Sequence, residues 1–470
     1  MFRYPYAMQE SFFKGKRVTV FGLGINMGGV GTVRFLAEHG AREIIVTDIK
    51  GHDELASSIQ QLAKYRTITY VLGQHRPEDF TRTDMVIKNP GIPWTNEYVK
   101  LAEKAGVPIE MDSSLFFRFS KAPIIGVTGT KGKTTTASLV AHILESAGRK
   151  TVAVGIGQTG VLSMLPKATS DSTVVFELSS WRLSALGHMK RSPHIAIITN
   201  LYPDHLNYYR TLPAYVDDKK QIFRYQHQHD VLVANYDNEM VRDAVQDAPS
   251  EVIWFSKEGS IDGDGVWKEG SVLCVRRGGR QDVLLPLEKV PLPGEHNVDN
   301  VLAATAASLA AGLSIEQIRR GIESFKGVSH RLAFVAEKRG VKYYDDTAAT
   351  IPEAAIAALR SFDHQPILIA GGSDKKLEFG AFAEEIIERS KALVLFRGEG
   401  TEKLIHELRK RLPEYHSFTV VESMGKAVEL ASRFAESGDS VLLSPGAASF
   451  GLFKNEFDRG EQFVAAVKRL

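Results

Sequence analysis

The chain has 470 residues, too many for one ordinary hydrophobic core, so two or three domains are expected. With 58 basic against 56 acidic residues, the net charge of +2 excludes a broad electrostatic footprint for nucleic acid or a membrane surface, and 43% hydrophobic residues exclude a disordered chain. A single cysteine, Cys274, in a strand-like run and expected to be buried, excludes an internal disulfide framework; with no secretory leader and no apolar run of ~18 residues, the protein is expected in the cytoplasm.

In chain order, Arg17–Phe21 reads as a short apolar strand followed by Gly22-Leu23-Gly24. A helical pattern around Val33–Ala37 leads to a second strand, Glu43–Thr47, ending at Asp48. This βαβ unit with an acid after its second strand has the layout of a Rossmann-like nucleotide site. The glycine signal is weak alone, and Asp48 could equally cap its strand. Asp84–Lys88 is a further strand, closed by the turn Asn89-Pro90-Gly91-Ile92-Pro93. Lys121-Ala122-Pro123 marks a boundary.

The most specific motif follows the apolar run Pro123–Ile125: Gly129-Thr130-Lys131-Gly132-Lys133-Thr134-Thr135, leading into a helical pattern. A strand, a glycine turn and a helix start in that order make a phosphate cradle. Backbone N–H groups point at an anion, Lys133 brings a mobile positive charge, and Thr134 offers a hydroxyl to Mg²⁺. Val127 stands where the strict Walker pattern has glycine, so only the shorter form is present. The chain is expected to bind a nucleoside triphosphate.

Glu177 closes the strand Thr173–Phe176, a position from which a carboxylate can help hold Mg²⁺, although a solvated strand-end acid would look the same. Asp204-His205 follows the strand Ile195–Ile198, and Lys219 comes 14 residues after His205; by composition alone Lys219 is a surface lysine beside Lys220. The low-hydropathy stretch 257–270 reads as hairpin loops. An alanine-rich helix runs from Asn297 to Ala311 and stops at Gly312. The last third repeats the α/β alternation, with strands at Lys342–Tyr344, Ile367–Ile369, Leu393–Phe396 and Val441–Leu443. Thr350-Ile351-Pro352-Glu353 reads as a capping box opening a helix. The fold class is therefore α/β with three domains: a Rossmann-like domain at 1–121, a P-loop ATPase-like domain at 122–329 and a second Rossmann-like domain at 330–470.

The motifs, taken in order, resemble those of the Mur ligases, ATP-dependent amide-forming enzymes of peptidoglycan precursor synthesis. The resemblance runs through Gly22-Leu23-Gly24, Asn89–Pro93, the phosphate loop, Glu177–Ser180, Asp204-His205, Lys219, Gly294–Asn300, His330-Arg331, Asp345-Asp346, Gly371-Gly372 and Leu443–Ser449. It implies an acyl-phosphate mechanism using ATP and Mg²⁺, with UDP-N-acetylmuramoyl-L-alanine and D-glutamate as substrates, in a monomer. It further implies catalytic roles for Lys133, Glu177, His205 and Lys219, with Thr134, Glu177, His205 and a carbamylated Lys219 around Mg²⁺. ATP is expected on residues 129–135 with Asn297, Asn300, Arg331 and Asp346, though helix-start asparagines are also plain caps. The UDP substrate is expected on Gly22, Leu23, Gly24, Asp48, Asn89, Pro90 and Gly91, and the amino acid on Thr350, Lys375 and Ser449. The chain departs from the family pattern at Lys131, Arg182, Ala333, Ala348 and Glu456. Ala348 replaces a lysine, and Lys131 or Arg182 is the candidate to restore that charge. These departures leave open L-glutamate or another amino acid as acceptor, or a nucleotide-binding regulatory homologue with impaired catalysis.

Overall fold

The protein is described by a computed structural model covering residues 12–24, 27–157, 159–204, 206–374, 377–414 and 418–470. Its contacts divide into two compact units, one running to Leu287 and including Asp299–Ile322, the other comprising Glu288–Val298 and Glu323–Leu470.

The first unit holds two sheets. Short Val- and Ile-rich runs bounded by turns make β1 (Arg17–Phe21), β2 (Glu43–Asp48), β3 (Ile68–Leu72), β4 (Met85–Lys88) and β5 (Ile109–Glu110). They pair in parallel in the order β3-β2-β1-β4-β5. Strands this apolar are stable only when covered on both faces, and Val18, Val20, Ile44 and Val46 are buried accordingly. Strand order reverses between β1 and β4, so the crevice of this sheet opens at Gly22 and Asn89.

The second sheet is built from β6 (Ile124–Thr128), β7 (Thr151–Val154), β8 (Thr173–Glu177), β9 (Ile195–Ile198), β10 (Val231–Asn235), β11 (Glu251–Ser256), β12 (Gly265–Glu269), β13 (Val272–Arg277) and β14 (Arg280–Pro286). Their order is β14-β13-β12-β11-β10-β9-β6-β8-β7. The stretch 257–270, expected to be loop, contains a strand in its second half. There β12 pairs in parallel with β11 and antiparallel with β13, which buries Trp267 against Ile261 and Cys274. Val266 and Trp267 are buried on opposite faces, but they stand between the polar stretch before Gly265 and Lys268-Glu269, so mean hydropathy over the segment gave no strand signal. Cys274 is buried on β13, as expected.

Polar contacts join the two sheets of this unit. Trp94 Nε1 donates to Ser184 Oγ at 2.8 Å, and the indole stacks on His188. Arg182, on the helix Ser180–Met189, forms a two-point ion pair with Asp112, at 2.9 Å from Nη2 and 3.3 Å from Nε. Arg182 is therefore committed to Asp112 and does not supply the missing charge that sequence reading assigned to it as one option.

The second unit is a six-stranded sheet of β15 (Ala333–Lys338), β16 (Val341–Asp345), β17 (Ile367–Ala370), β18 (Ala392–Phe396), β19 (Phe418–Val421) and β20 (Ser440–Leu443). The order β15-β16-β20-β17-β18-β19 is parallel apart from the β15–β16 hairpin. Leu368, Leu395 and Leu442 pack on one face and Ile369, Val394 and Val441 on the other. Strand order reverses around β20, which puts its crevice beside Asp346 and Ser444. Among the described residues, no helix is long and apolar enough to cross a membrane.

Removing Asp112 leaves the Arg182 guanidinium partly buried without a counter-charge. Asp112→Ala should cost roughly 2–4 kcal/mol, and a cycle with Arg182→Ala should show strong coupling in chemical denaturation. Additive single-mutant effects would contradict this role of the pair.

Candidate active site

The phosphate loop begins where β6 ends. Val127 lies inside that strand, paired with Glu177 and Ile197, so the tight turn starts two residues later than the strict Walker pattern implies. The backbone then takes positive φ at Gly129 (+150°) and Gly132 (+82°) before the helix Lys133–Ser146 opens. Both glycines are also required by space. A Cβ on Gly129 would collide with Thr199 Oγ1, and one on Gly132 with Asn300 Oδ1.

The loop is clamped onto the end of β9. Thr130 N donates to Asn200 O at 2.9 Å, Lys131 N to Asn200 Oδ1 at 2.8 Å, and Thr199 Oγ1 to Lys131 O at 2.6 Å. Thr130 Oγ1 is 2.9 Å from Tyr215 OH and accepts from Tyr202 N at 3.0 Å. Lys133 lies across the loop, its Nζ donating to Gly129 O at 3.0 Å and Thr130 O at 2.9 Å. Thr134 and Thr135 follow in the first helical turn, where backbone N–H groups lack intrahelical partners. Glu177 is half-buried at the end of β8, beside this loop.

Lys219 is not a surface lysine. It closes the helix Leu212–Lys220 at 2% exposure, and its Nζ donates to Gly129 O at 2.8 Å, 90 residues away in the chain. The same nitrogen is 3.3 Å from Thr128 Oγ1 and 4.9 Å from the centre of the Tyr215 ring. Burial, then the nearby charge of Lys133, pushes this amine well below the usual lysine range, against the opposing pull of Asp204, Asp218 and Glu177. Its neighbour Lys220 instead pairs with Asp247. His205 and Lys375 lie outside the described residues. Among those that are described, no three His, Cys, Asp or Glu side chains form a group able to hold a metal ion.

At the crevice of the first sheet, Gly22 has φ +90° and a Cβ there would press on Asn89 Cβ at 2.9 Å. Asn89 N donates to Phe21 O at 2.8 Å, and Gly91 N to Asn89 Oδ1 at 3.1 Å, leaving Pro90 and Gly91 at the turn's outer edge. Leu23 points into the core. Asp48 is buried and both its oxygens are engaged, one by Gly24 N at 2.9 Å and the other by Lys50 N at 3.0 Å. The acid therefore fixes the glycine turn. Lys88, 1% exposed, folds back to Ile92 O at 2.8 Å over the Trp94 ring, and burial lowers it to about 8.

Asn300 accepts from Thr136 Oγ1 at 3.1 Å, tying the helix His296–Ala310 to the phosphate-loop helix. In the second unit, Asn297 Nδ2 donates to Pro293 O at 2.6 Å. Arg331 is exposed. Asp346 accepts from Ser444 Oγ at 2.7 Å and Leu332 N at 3.1 Å, yet burial still raises its carboxyl to about 7. Thr350 does not cap a helix. The helix Pro352–Leu359 has Ile351 at its N-cap with no side-chain bond, because Pro352 fixes the first turn one residue later than the sequence pattern suggested. Ser449 is buried after β20. Sequence reading missed Arg459, which is wholly buried and donates from Nε to Thr347 Oγ1 at 2.9 Å, from Nη1 to Ala447 O at 3.1 Å and from Nη2 to Thr347 O at 3.0 Å. It joins the two loops that carry Thr350 and Ser449. Its motif offered no sign of this, because an arginine in an amphipathic helix normally faces water.

Asp346 is protonated in the folded state at pH values where the unfolded chain ionises it. That contribution to stability is full below about pH 4 and is lost as the pH rises through about 7. The melting temperature of Asp346→Asn, relative to the unaltered protein, should therefore move upward between pH 4 and pH 8. A difference independent of pH would show an ordinary carboxyl.

Comparison with known proteins agrees with this geometry. The Mur ligase MurD-like N-terminal domain matches residues 16–110, the Mur ligase middle domain 127–308, and the Mur ligase glutamate ligase domain 330–446. A protein of Roseiflexus sp. (strain RS-1) named UDP-N-acetylmuramoylalanine–D-glutamate ligase is 45% identical over 462 residues, which is 97% of this chain and 98% of the relative. A protein of the same name from Symbiobacterium thermophilum is 36% identical, covering 97% and 98%. The solved structure of the UDP-N-acetylmuramate-alanine ligase MurC from Thermotoga maritima shares the fold, with TM-score 0.61, 21% identity, and 97% and 99% coverage. With three matching domains in order and full-length relatives well above 30% identity, the chain belongs to the Mur ligase family, as a MurD-like ATP-dependent ligase.

Proposed function

We propose that this ligase joins D-glutamate to UDP-N-acetylmuramoyl-L-alanine in peptidoglycan precursor synthesis. The observation that carries the reading is the buried Lys219 amine pinned to a glycine phosphate loop, in a chain 45% identical to a ligase of that name. In the reaction, a carboxylate oxygen of the nucleotide substrate attacks the γ-phosphorus of ATP as the bond to ADP breaks. The amine nitrogen of glutamate then attacks the acyl carbon, phosphate leaves, and the nitrogen gives up a proton. Such chemistry needs alignment and charge neutralisation more than covalent help.

Lys133 and the loop N–H groups would hold the terminal phosphates. Thr134, Glu177, His205 and a carbamylated Lys219 would hold Mg²⁺, which supplies charge neutralisation at the phosphates. Asn297 and Asn300 belong to the adenine side, Arg331 and Asp346 to the rest of the nucleotide. Gly22, Leu23, Gly24, Asp48, Asn89, Pro90 and Gly91 would receive the UDP moiety, Asp48 by holding the turn. Thr350, Lys375 and Ser449 would receive the side-chain carboxylate of glutamate. The three domains divide at about 121 and 329 in this reading, and the enzyme acts as a cytoplasmic monomer, which sedimentation at micromolar concentration would test.

The amine of Lys219 suits carbamylation. Its nitrogen must be neutral to attack CO₂, a new N–C bond forms, and the proton lost from nitrogen leaves a carbamate anion where an ammonium would repel Mg²⁺. Burial shifts the amine toward that neutral form.

The function is tested by incubating the protein with ATP, Mg²⁺, UDP-N-acetylmuramoyl-L-alanine and a panel of amino acids, with products read by mass spectrometry. D-glutamate should be ligated in preference to L-glutamate and alanine, and Lys133→Ala should lower the rate by about 10³-fold or more. Preferential ligation of a neutral or diamino acid would reject the acceptor assignment. For Lys219, exhaustive removal of CO₂ should depress activity and added bicarbonate restore it, whereas Lys219→Ala should be nearly inactive and partly rescued by a small carboxylate such as formate. Full activity of Lys219→Ala would refute the carbamate.

A further inference from the structure

Lys88 is a buried cation with no part in phosphoryl or acyl transfer. It closes β4, and side chains alternate along that strand, so it shares the face of Val86, which packs with Phe21, Phe80 and Val99. A methionine would fill such a place without the cost of burying an ammonium. Lys88 is instead 1% exposed, and among the described residues its one hydrogen bond runs from Nζ to Ile92 O at 2.8 Å. The centre of the Trp94 ring lies 4.5 Å from the same nitrogen.

Ile92 is where the two loops of the first crevice meet. Its N donates to Asn89 O at 3.0 Å, which closes the turn. Its side chain lies against Gly22, where an added Cβ would come within 3.1 Å of Ile92 Cδ1 and 2.9 Å of Asn89 Cβ. Asn89 N is tied in turn to Phe21 O, the residue before Gly22. The carbonyl bonded to Lys88 therefore helps set where Ile92 and Asn89 stand, and with them the edge that Gly22 and Gly91 present. Trp94 extends the same tether to the second sheet through its hydrogen bond to Ser184. Burial opposes the ammonium, and the charges that support it are those of Asp218, on the helix that carries Lys219, and then Asp112.

We propose that Lys88 is a positioning residue for the nucleotide substrate, holding the turn from Asn89 to Ile92 from beneath so that the crevice is shaped to receive a uridine diphosphate moiety. The inference rests on the reading that this crevice is the UDP site and is independent of which amino acid is ligated.

Calorimetric titration of the full-length protein with UDP-N-acetylmuramoyl-L-alanine and, separately, with ADP and Mg²⁺ tests it. Lys88→Met keeps the length of the side chain and removes the donor. It should weaken binding of the UDP substrate about 10-fold and of ADP by less than about twofold. In the ligation assay the same variant should raise KM for the UDP substrate about 10-fold with kcat within about threefold, as expected of a group that shapes binding and not the reacting centre. Asp218→Asn keeps the size of that residue and removes the charge supporting the ammonium. It should weaken the UDP substrate in the same sense, by about threefold, and it decides the matter if the methionine variant does not fold. Unchanged affinity for the UDP substrate in the folded variants, or an equal loss of both ligands, would overturn the role of Lys88 while leaving the UDP site in place. Failure of the unaltered protein to bind the UDP substrate would overturn that site and this inference together.

Discussion

The arrangement of the phosphate loop depends on an exclusion at Gly129. Thr199 Oγ1 occupies the space a side chain at 129 would need, and that hydroxyl donates to Lys131 O at 2.6 Å. The contact ties the end of β6 to the end of β9 before any helix is considered. Gly129 O in turn receives Lys133 Nζ at 3.0 Å and Lys219 Nζ at 2.8 Å, so one backbone carbonyl anchors two lysines from distant parts of the chain. Two like-charged amines on one acceptor repel one another. Lys219 is the more buried member, and its burial first, then the charge of Lys133, favour its neutral form. Packing at a glycine thereby fixes the position of an amine 90 residues later in the chain.

The same geometric rule places the other candidate residues. In parallel sheets the crossovers leave a crevice where strand order reverses, and residues just past the strand ends line it. In the first sheet that rule selects Gly22 after β1 and Asn89 after β4. In the sheet of the second unit it selects Asp346 after β16 and Ser444 after β20. Position in the sheet is therefore a stronger guide to these sites than any single short motif.

Much of this was legible in the sequence, because continuous Val/Ile runs between turn signals identify parallel strands with little ambiguity. β1, β2, β9 and β17 fall within a residue of where the pattern puts them. Glycine requirements were legible too, since only a tight turn explains Gly129 and Gly132 together. Partners brought close across long separations were not. Arg182 reads as a free charge until Asp112, 70 residues earlier, is seen to hold it. Lys219 and Lys220 are indistinguishable in a helical pattern, yet one is sealed against the phosphate loop and the other pairs with Asp247 in solvent. Thr350 satisfies the capping-box pattern, but the fixed φ of Pro352 shifts the helix start and leaves the threonine outside it. Short-range patterns also say nothing about Arg459, whose partners at Thr347 and Ala447 come from two different loops.

Arg459 and Asp346 illustrate two uses of buried charge in one sheet. Three donor atoms of Arg459 meet neutral acceptors, and the side chain fixes the loops after β16 and β20 against each other. Its charge is incidental to that work, and burial lowers its affinity for a proton to about 10. Asp346 is different, because Ser444 and Leu332 do not offset its desolvation and its carboxyl rises to about 7. A carboxyl kept where it opposes folding at neutral pH gains nothing for the fold that an amide would not supply. Such groups persist where a bound partner can stabilise the ionised form, which is the logic that ties perturbed carboxyls to functional clefts. Asp346 thus carries an unoffset desolvation cost at the crevice of its sheet, whereas Arg459 ties the same loops together.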